Sequence, residues 1–288
     1  MEDRELPGVL RLTAPRASLV PLVFDSPHSG TQWPEDFAPA ADEVAVRRTQ
    51  DSLVDELFGA APEHGAPLLA ALFPRVYIDP NRSLGDLDPA LLADRWDGPL
   101  APGEKSELGK GLIWRLAAPD TPIYDRKLTA GEVRRRIDSF YEPYHTALAA
   151  LLDGIAERFG GVWHIDCHSM RPMSTSVDKE GPGVARPDIV LSDRDGTSAG
   201  ASFMEQAVSF LRGEGLEVAI NEPFKGAELV ARYGDPARNR HSIQIEVNRR
   251  LYLDEGGIAA GDGFAHTQAL LGRFVGAMAE HVREAARA

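Results

Sequence analysis

Cysteine is nearly absent from the sequence: Cys167 is the only one among 288 residues. A single cysteine excludes an internal disulfide framework and any zinc module made of several cysteines. Long apolar runs are absent as well, because nowhere do about 18 apolar residues follow one another. The first residues, Met-Glu-Asp-Arg-Glu, do not resemble the start of a secretory signal. We therefore expect a cytoplasmic protein.

Positive charge is scarce, since 31 Lys and Arg face 44 Asp and Glu, for a formal net charge of −13. No run of Lys or Arg concentrates the cations that a nucleic acid or an anionic membrane requires. We therefore expect neither of these as a partner. The length and the 43% hydrophobic content suit one domain with a large core, which we expect to span residues 1–288. These features predict no oligomeric state.

Apolar runs rich in Val and Ile alternate with helical patterns along the chain. The predicted strands are residues 19–24, 68–78, 162–165, 189–191, 216–220 and 243–247. The predicted helices are residues 42–60, 129–159, 198–211 and 258–288. This alternation favours a layered α/β fold, in which strands buried on both faces form a central sheet.

The pattern of residues 129–159 predicts the longest helix. Thr129 and Glu132 form a capping box at its start. Pro143 lies inside the pattern, where it lacks a backbone donor, so we expect a kink or a break there. By contrast, residues 84–122 are rich in Gly, Pro and Asp with little periodicity, and we expect a long excursion over the sheet edge that acts as a lid.

Two histidines follow apolar runs. His28 lies in residues 25–30, Asp-Ser-Pro-His-Ser-Gly, directly after one predicted strand, and His168 follows another. Ligands of open α/β sheets bind at the ends of strands, and imidazole is a common zinc ligand. The two side chains could therefore share one metal ion. The alternative is that each is a hydrogen-bonded loop histidine, which is the commoner situation for a single histidine.

A catalytic zinc site often combines two histidines with one carboxylate. The predicted helix after His28 offers Asp51 and Asp55, which lie four residues apart and therefore on one helix face. One could bind the metal while the other orients a ligand. The alternative is a solvated acidic face beside Arg47 and Arg48.

Two further polar residues lie next to apolar runs. Residues 242–248 alternate strictly, so Glu246 faces the side opposite to the isoleucines. It could act as a general base in a site, or it could belong to a solvent face. Arg82 follows residues 79–81, Asp-Pro-Asn, at the end of another predicted strand. Its guanidinium could hold a substrate carboxylate or polarise a carbonyl, although a surface arginine is the simpler interpretation.

One motif points to different chemistry. Residues 196–200 fit the G-x-S-x-G pattern of serine hydrolases, with Ser198 as the nucleophile and His266 as its base. Residues 192–195 separate this motif from the preceding strand, and no oxyanion segment of the HGGG type is present. Ser198 is more simply explained as the N-cap of the following helix.

Seven collinear stretches resemble the N-formylglutamate amidohydrolase family, and together they extend over most of the chain. They are residues 27–30, 51–55, 79–82, 111–115, 166–170, 221–226 and 244–252. The resemblance implies a three-layer α/β/α fold around a mixed, mostly parallel sheet. It also implies a zinc-dependent amidohydrolase, related to metallocarboxypeptidases and aspartoacylase. Its reaction would cleave N-formyl-L-glutamate to L-glutamate and formate, in histidine degradation.

The resemblance also assigns the metal ligands, matched by their order in the family. One zinc ion, or another divalent metal in its place, would be bound by His28, Asp51 and His168, with Asp55 as the other candidate for the carboxylate. Thr31 stands where carboxypeptidases have a ligand glutamate, so the carboxylate must come from elsewhere in the chain.

By the same resemblance, Glu246 would be the catalytic base. Asn81 and Arg82, with Arg115, would bind the carboxylate of a small acidic N-acyl amino acid. Cys167, next to the second histidine, is expected to be buried and to point away from the metal. Two alternatives stay open: a metal-dependent deacylase of another N-acyl amino acid or short peptide, and a binding protein without catalytic activity.

Overall fold

A sheet of eight strands forms the centre of the fold in the computed structural model, which describes residues 1–117 and 121–287. The strands of the chain are β1 Arg4–Leu6, β2 Leu10–Thr13, β3 Leu22–Ser26, β4 Leu68–Ala71, β5 Leu116–Ala117, β6 Thr121–Pro122, β7 Val162–Met170, β8 Ile189–Ser192, β9 Val218–Ile220 and β10 Arg240–Asn248. The order across the sheet is β1-β2-β4-β3-β7-β10-β8-β9, and β5 pairs with β6 separately.

The four strands in the middle of the sheet, β4, β3, β7 and β10, run parallel to one another. On one side β2 joins β4 antiparallel, and on the other side β8 joins β10 antiparallel. The sheet is therefore mixed and mostly parallel, which confirms the predicted fold class. The strand predicted for residues 68–78 is shorter than expected: β4 ends at Ala71.

Helices cover both faces of this sheet. They are α1 Glu43–Arg47, α2 Val54–Leu57, α3 Glu104–Glu107, α4 Ala130–Arg136, α5 Glu142–Phe159, α6 Ala201–Gly213, α7 Glu228–Tyr233 and α8 Phe264–Ala285. One buried apolar cluster joins α2, α6 and α8 to the sheet, and a second joins α4, α5 and α7 to the opposite face. The layers are thus helix, sheet and helix. Among the helices of the described ranges, none has the length and apolarity to cross a membrane.

Side chains along β7 and β10 alternate between the two faces of the sheet, so the two helix layers contact different residues of these strands. Cys167 of β7 and Ile245 of β10 belong to the apolar cluster beside α8, as expected for the cysteine. The opposite face of the two strands is polar and nevertheless buried. Its side chains are His164, Asp166, His168, Ser242, Gln244 and Glu246. Glu246 pairs with His168 in the register of the two strands, so two predicted site residues lie side by side.

The chain between β3 and β4 is not the single helix predicted for residues 42–60. Instead α1 and α2 are two short helices with residues 48–53 between them. In this connection the backbone N–H of Asp51 donates to the carbonyl of His28 at 3.0 Å. The prediction that Asp51 and Asp55 share a helix face is therefore wrong, because only Asp55 lies in a helix.

The long helix predicted for residues 129–159 is present with its expected cap. Thr129 accepts a hydrogen bond from the backbone of Glu132, whose carboxylate accepts one from the backbone of Thr129, and this confirms the capping box. Near Pro143 the expected irregularity takes the form of a π turn, Ile137–Tyr141, that connects α4 to α5. The helical path continues through it.

The predicted excursion at residues 84–122 packs against the fold. Leu87, Leu91 and Ile113 of this segment are almost completely buried in the cluster with α4 and α5. Residues 118–120 of the segment lie outside the described residues, as does residue 288 at the end of the last predicted helix. The excursion is therefore anchored by its own apolar side chains.

Candidate metal centre and active site

Three predicted ligands meet on the polar face of the sheet. His28 follows β3, Asp51 lies between α1 and α2, and His168 lies within β7. The Nδ1 atoms of His28 and His168 are 3.0 Å apart. Oδ2 of Asp51 lies 3.3 Å from Nδ1 of His28 and 3.0 Å from Nδ1 of His168. The three buried side chains thus form a triangle of donor atoms, which we call the ligand triangle.

The size of the ligand triangle fits a metal ion. Ligand atoms about 2.0–2.2 Å from a zinc ion at tetrahedral angles lie about 3.3–3.6 Å from one another. These separations are only slightly longer than those in the structure. Two imidazoles and one carboxylate suit zinc and similar ions, and three protein ligands leave a fourth position for water or substrate.

Asp79 orients the first histidine. Nε2 of His28 lies 2.7 Å from Oδ1 of Asp79. Although burial raises it, the pKa of Asp79 is held well below its usual range by Arg75 and His28, so this carboxyl is ionised. An ionised carboxylate only accepts hydrogen bonds, so Nε2 of His28 carries the proton. Nδ1 therefore presents its lone pair to the ligand triangle.

Asp166 and Asn81 lie behind the second histidine, where burial raises the pKa of Asp166 and Nδ2 of Asn81 lies 3.0 Å from Nε2 of His168. Nε2 of His168 lies 2.7 Å from Oδ1 of Asp166, and Oδ2 of Asp166 accepts from the amide of Asn81 at 3.2 Å. The side-chain oxygen of Asn81 accepts from the backbone of Leu229 at 2.8 Å, which fixes the orientation of the amide. Both polar atoms of Asn81 are thus engaged by the protein. Its predicted contact with substrate stays a prediction.

Asp51 is held through its second oxygen. Oδ1 accepts from Nη2 of Arg249 at 3.0 Å and from the hydroxyl of Ser169 at 3.3 Å. Arg249 also donates to the backbone carbonyls of Arg48 and Gln50, so its guanidinium is fixed on three sides. These contacts leave Oδ2 of Asp51 to face the two histidines.

The carboxylates around the ligand triangle favour a cation at its centre. Although burial opposes it, Asp166 and Asp51 raise the pKa of His168. Burial likewise opposes charge on Asp51, but the two histidines hold its pKa well below the usual range. The surroundings therefore stabilise positive charge between the donor atoms, whether a proton or a metal. Asp55, the other carboxylate considered, is not part of the triangle.

Glu246 lies beside the ligand triangle and lines the same cavity. Its Oε1 accepts from the side-chain amide of Gln244 at 3.0 Å. Only 9% of Glu246 is exposed, so the alternative of a solvent face does not apply. Burial raises the pKa of Glu246 to about 7, which suits a group that takes up and releases a proton near neutral pH.

A cavity of about 400 Å³ opens above the ligand triangle. Arg82 lines it, and its Nε and Nη1 atoms donate to the carbonyls of Lys110 at 3.1 Å and Asn81 at 2.7 Å. Arg115 does not reach the cavity among the described residues, because its side chain extends to Asp88, 2.8 Å away. The structure therefore brings together every predicted site residue except Arg115.

Four residues have contacts that the sequence did not reveal. They are Arg75, Asp79, Asp166 and Arg249. Three of them lie inside the stretches that resemble the family, but their spacing does not show what they contact. Arg75 stacks over Trp114 with its guanidinium carbon 4.8 Å from the ring centre, and it pairs with Asp79 at 2.9 Å. No local pattern distinguishes Arg75 from a surface arginine.

The serine-hydrolase interpretation gains no support. Ser198 is buried, donates to the carbonyl of Ser242 at 2.8 Å, and does not line the cavity. The helix that follows begins at Ala201, with Gly200 in the N-cap position. The predicted N-cap role of Ser198 is therefore wrong as well.

Comparison with known proteins identifies relatives of the chain. The family model of N-formylglutamate amidohydrolase matches residues 20–253. The chain belongs to this family. The crystal structure of N-formylglutamate amidohydrolase from Ralstonia eutropha is similar, with a TM-score of 0.91 and 46% identity over 96% of this chain and 99% of that chain. Two N-formylglutamate deformylases cover 82% of this chain and 83% of their own length: 30% identical in Pseudomonas aeruginosa and 29% in Pseudomonas putida.

Membership of the N-formylglutamate amidohydrolase family confirms the resemblance seen in the sequence. It also confirms the predicted class of enzyme, a hydrolase that acts on an amide C–N bond. The ligand triangle of this family member is compatible with the predicted metal site.

Proposed function

We propose that the protein hydrolyses N-formyl-L-glutamate to L-glutamate and formate, with one zinc ion bound by His28, Asp51 and His168. The observation that carries the proposal is the buried ligand triangle with Glu246 beside it in one cavity. The names of the Pseudomonas relatives support the substrate. The carboxylates that orient both histidines support the metal.

Glu246 moves the proton in this proposal. When bound, the metal supplies a Lewis acid for the amide carbonyl and an activated water. Glu246 accepts a proton from the attacking water and gives it to the nitrogen of the leaving amino acid, so that the amide C–N bond breaks. A pKa raised to about 7 by burial suits both transfers near neutral pH.

Arg75 stabilises the negative charge that develops on the carbonyl oxygen. Its Nε and Nη2 atoms donate to Asp79, whereas Nη1 lies 3.8 Å from Oδ2 of Asp51, beyond hydrogen-bond distance. Nη1 is therefore available to an oxyanion beside the ligand triangle. Trp114 stacks against the guanidinium and restricts its movement.

Arg82 binds the α-carboxylate of the substrate. Its Nη2 atom has no hydrogen-bond partner within the described residues, while its other nitrogens are held by backbone carbonyls. An anchored guanidinium with a free donor is suited to a carboxylate. Asn81 contributes by holding Asp166 in place.

The proposal also includes the pathway, the cellular location and the domain organisation. We place the reaction in histidine degradation and the protein in the cytoplasm, and we regard residues 1–288 as one catalytic domain. The family resemblance supports the pathway, and the match of the family model to residues 20–253 supports the single domain. An acidic N-acyl amino acid is the proposed small-molecule partner.

The test is hydrolysis of N-formyl-L-glutamate by the purified protein, together with metal analysis. We expect one zinc-class ion per chain and formate release that a chelator abolishes. E246Q should keep the metal and lose activity by about a thousandfold, within the range for a general base. E205Q removes an exposed carboxylate on α6 and is the matched control. Active protein without metal, or an E246Q variant as active as E205Q, would contradict the mechanism.

A second cavity favours a related function. It has a volume of about 570 Å³ and adjoins the first at Arg48, Arg171 and Arg249. This space exceeds what a formyl group needs, so a longer acyl group or a second residue could occupy it. Turnover of N-formyl-, N-acetyl- and N-succinyl-L-glutamate distinguishes the two functions. A higher kcat/KM for the larger groups would favour a deacylase of other N-acyl amino acids or short peptides.

A further inference from the structure

The cavity above the ligand triangle is rich in cations, although the protein as a whole is acidic. Ten Lys and Arg side chains line this cavity, against five Asp and Glu. Two of the five acids, Asp51 and Glu246, belong to the metal centre and the proposed base. The partners of the remaining charges therefore decide which substrate the cavity accepts.

The other three acids of the cavity already have cationic partners. Nη2 of Arg186 lies 3.1 Å from Oδ2 of Asp178 and 2.8 Å from Oε1 of Glu180. Nζ of Lys179 lies 2.9 Å from Oε2 of Glu104. The contact between Lys179 and Glu104 joins the loop after β7 to α3. None of the three acids is left to neutralise a further cation of the cavity.

Four cations of the cavity have no such partner within the described residues, namely Arg48, Lys105, Lys110 and Arg171, and the last three lie close together. The side chains of Lys105, Lys110 and Arg171 form no hydrogen bond or ion pair within the part of the chain that the structure describes. Burial, Arg171 and Lys105 lower the pKa of Lys110 to about 8, so Arg171 and Lys105 each lie close enough to Lys110 to repel its charge. The acid that faces all three is Asp178, which Arg186 already holds. An anion between the three cations would relieve this repulsion.

These cations lie next to the groups proposed to bind the rest of the substrate. The backbone carbonyl of Lys110 accepts from Arg82 at 3.1 Å. The ring centre of Trp114 lies 4.8 Å from the guanidinium carbon of Arg75 and 5.8 Å from Nζ of Lys110. A substrate with its α-carboxylate at Arg82 and its amide at Arg75 therefore has Lys110 within reach of its side chain.

We propose that Lys105, Lys110 and Arg171 form a subsite for the side-chain carboxylate of the substrate, and that this subsite selects acidic over neutral N-acyl amino acids. The inference rests on the proposed function, because it names the part of that substrate which the cavity recognises. A carboxylate between these cations gains charge-assisted hydrogen bonds. A carboxamide of the same shape leaves the cations without a counter-charge.

The test compares N-formyl-L-glutamate with N-formyl-L-glutamine, which have side chains of the same shape but different charge. We expect the native protein to prefer the glutamate, and the ratio of the two kcat/KM values to fall about tenfold or more in K110M and in R171M. K110R keeps the charge and should keep most of the preference, which separates a lost charge from a folding defect. K127M removes an exposed lysine outside the cavity and should leave the ratio unchanged.

An unchanged ratio in K110M and R171M would overturn the subsite. If the native protein hydrolyses neither compound, the proposed function fails, and calorimetric titration with glutarate then decides the subsite independently. Binding of glutarate that weakens about tenfold or more in K110M and R171M, but not in K127M, supports the subsite. Equal binding by all the proteins, or none, overturns it.

Discussion

Glu246 illustrates how burial sets the working range of a residue. Burial raises its pKa from the ordinary 4.5 to about 7, and a general base works only when it is deprotonated. We therefore expect kcat/KM to fall as the pH falls. A cation bound nearby lowers this pKa, so the acid limb should lie between 4.5 and about 7. A pH profile of kcat/KM measures the limb, and a limb at or below 4.5 would refute the role of burial.

Asp166 should control how tightly the metal is held, because it fixes the ring of His168. D166N keeps the shape of this side chain and removes its charge. We expect the affinity for zinc to fall about 10–100-fold, as for other carboxylates behind a ligand histidine. Competition with a chelator of known affinity measures the change. D153N, at a mostly exposed carboxylate paired with Arg240, is the control, and equal affinities in both variants would count against Asp166.

The sequence indicates the ligands better than the residues that support them. His28 and Glu246 stand out because each is a polar residue next to an apolar run. Asp79 and Asp166 are equally buried, but in a chain with 44 acidic residues an aspartate gives no sign of which histidine it faces. Arg115 is the opposite case: it lies in a stretch that resembles the family, but its side chain contacts Asp88 and not the cavity.

Residues 42–60 show that a periodic apolar pattern can predict one continuous helix where the chain forms two short ones. The apolar spacing there is helical, yet Leu53 adopts a left-handed backbone with φ of 62°. The turn between α1 and α2 brings the backbone of Asp51 to His28, and these contacts outweigh the local preference for helix. The helix at residues 129–159 was predictable, because its capping box and its apolar stripe agree.

The helix α5 supports the site through His145. Nε2 of His145 donates to the carbonyl of Pro80 at 2.9 Å, and Nδ1 accepts from the hydroxyl of Tyr233 at 2.8 Å. Burial lowers the pKa of His145 from 6.5 to about 4. Between these values the unfolded chain binds a proton that the folded chain does not. The free energy of unfolding therefore decreases as the pH falls through this window.

We expect this effect to reach about 3 kcal/mol at the lower end of the window. H145Q removes the titrating group, so its destabilisation relative to the native protein should be largest at neutral pH and should shrink as the pH falls. Urea unfolding of both proteins across the window measures the difference. H266Q, at an exposed histidine, should follow the native protein throughout. Parallel curves for H145Q and the native protein would disprove the assignment.

At the scale of the whole molecule, the alternation of strands and helices was sufficient to predict a layered α/β fold. It did not predict the outer strands β1 and β2. All three residues of β1 are exposed, so this edge strand carries no apolar run that a pattern could detect. The order of the strands across the sheet depends on crossover connections, which the alternation does not encode.

Metal removal should lower the stability of the whole molecule, because the ligand triangle exists only in the folded chain. We expect the midpoint of thermal unfolding to rise with excess zinc, by the equivalent of about 4 kcal/mol when free zinc is about 1,000 times Kd. Scanning calorimetry with zinc and with a chelator measures this shift. D51N should lose most of it, whereas D55N should keep it. Identical midpoints for the native protein in both conditions would argue against a bound metal.

The hydrogen bond between Arg249 and Asp51 connects positions 198 residues apart, and this separation matters while the protein is being made. A ribosome releases His28, Asp51 and His168 well before the segment that carries β10 and Arg249. An emerging chain thus exposes all three ligands while Asp51 still lacks the guanidinium that orients it. The ligand triangle can reach the geometry described above only after Arg249 has been synthesised, so we expect a metal ion to bind there only once β10 has emerged and joined the sheet.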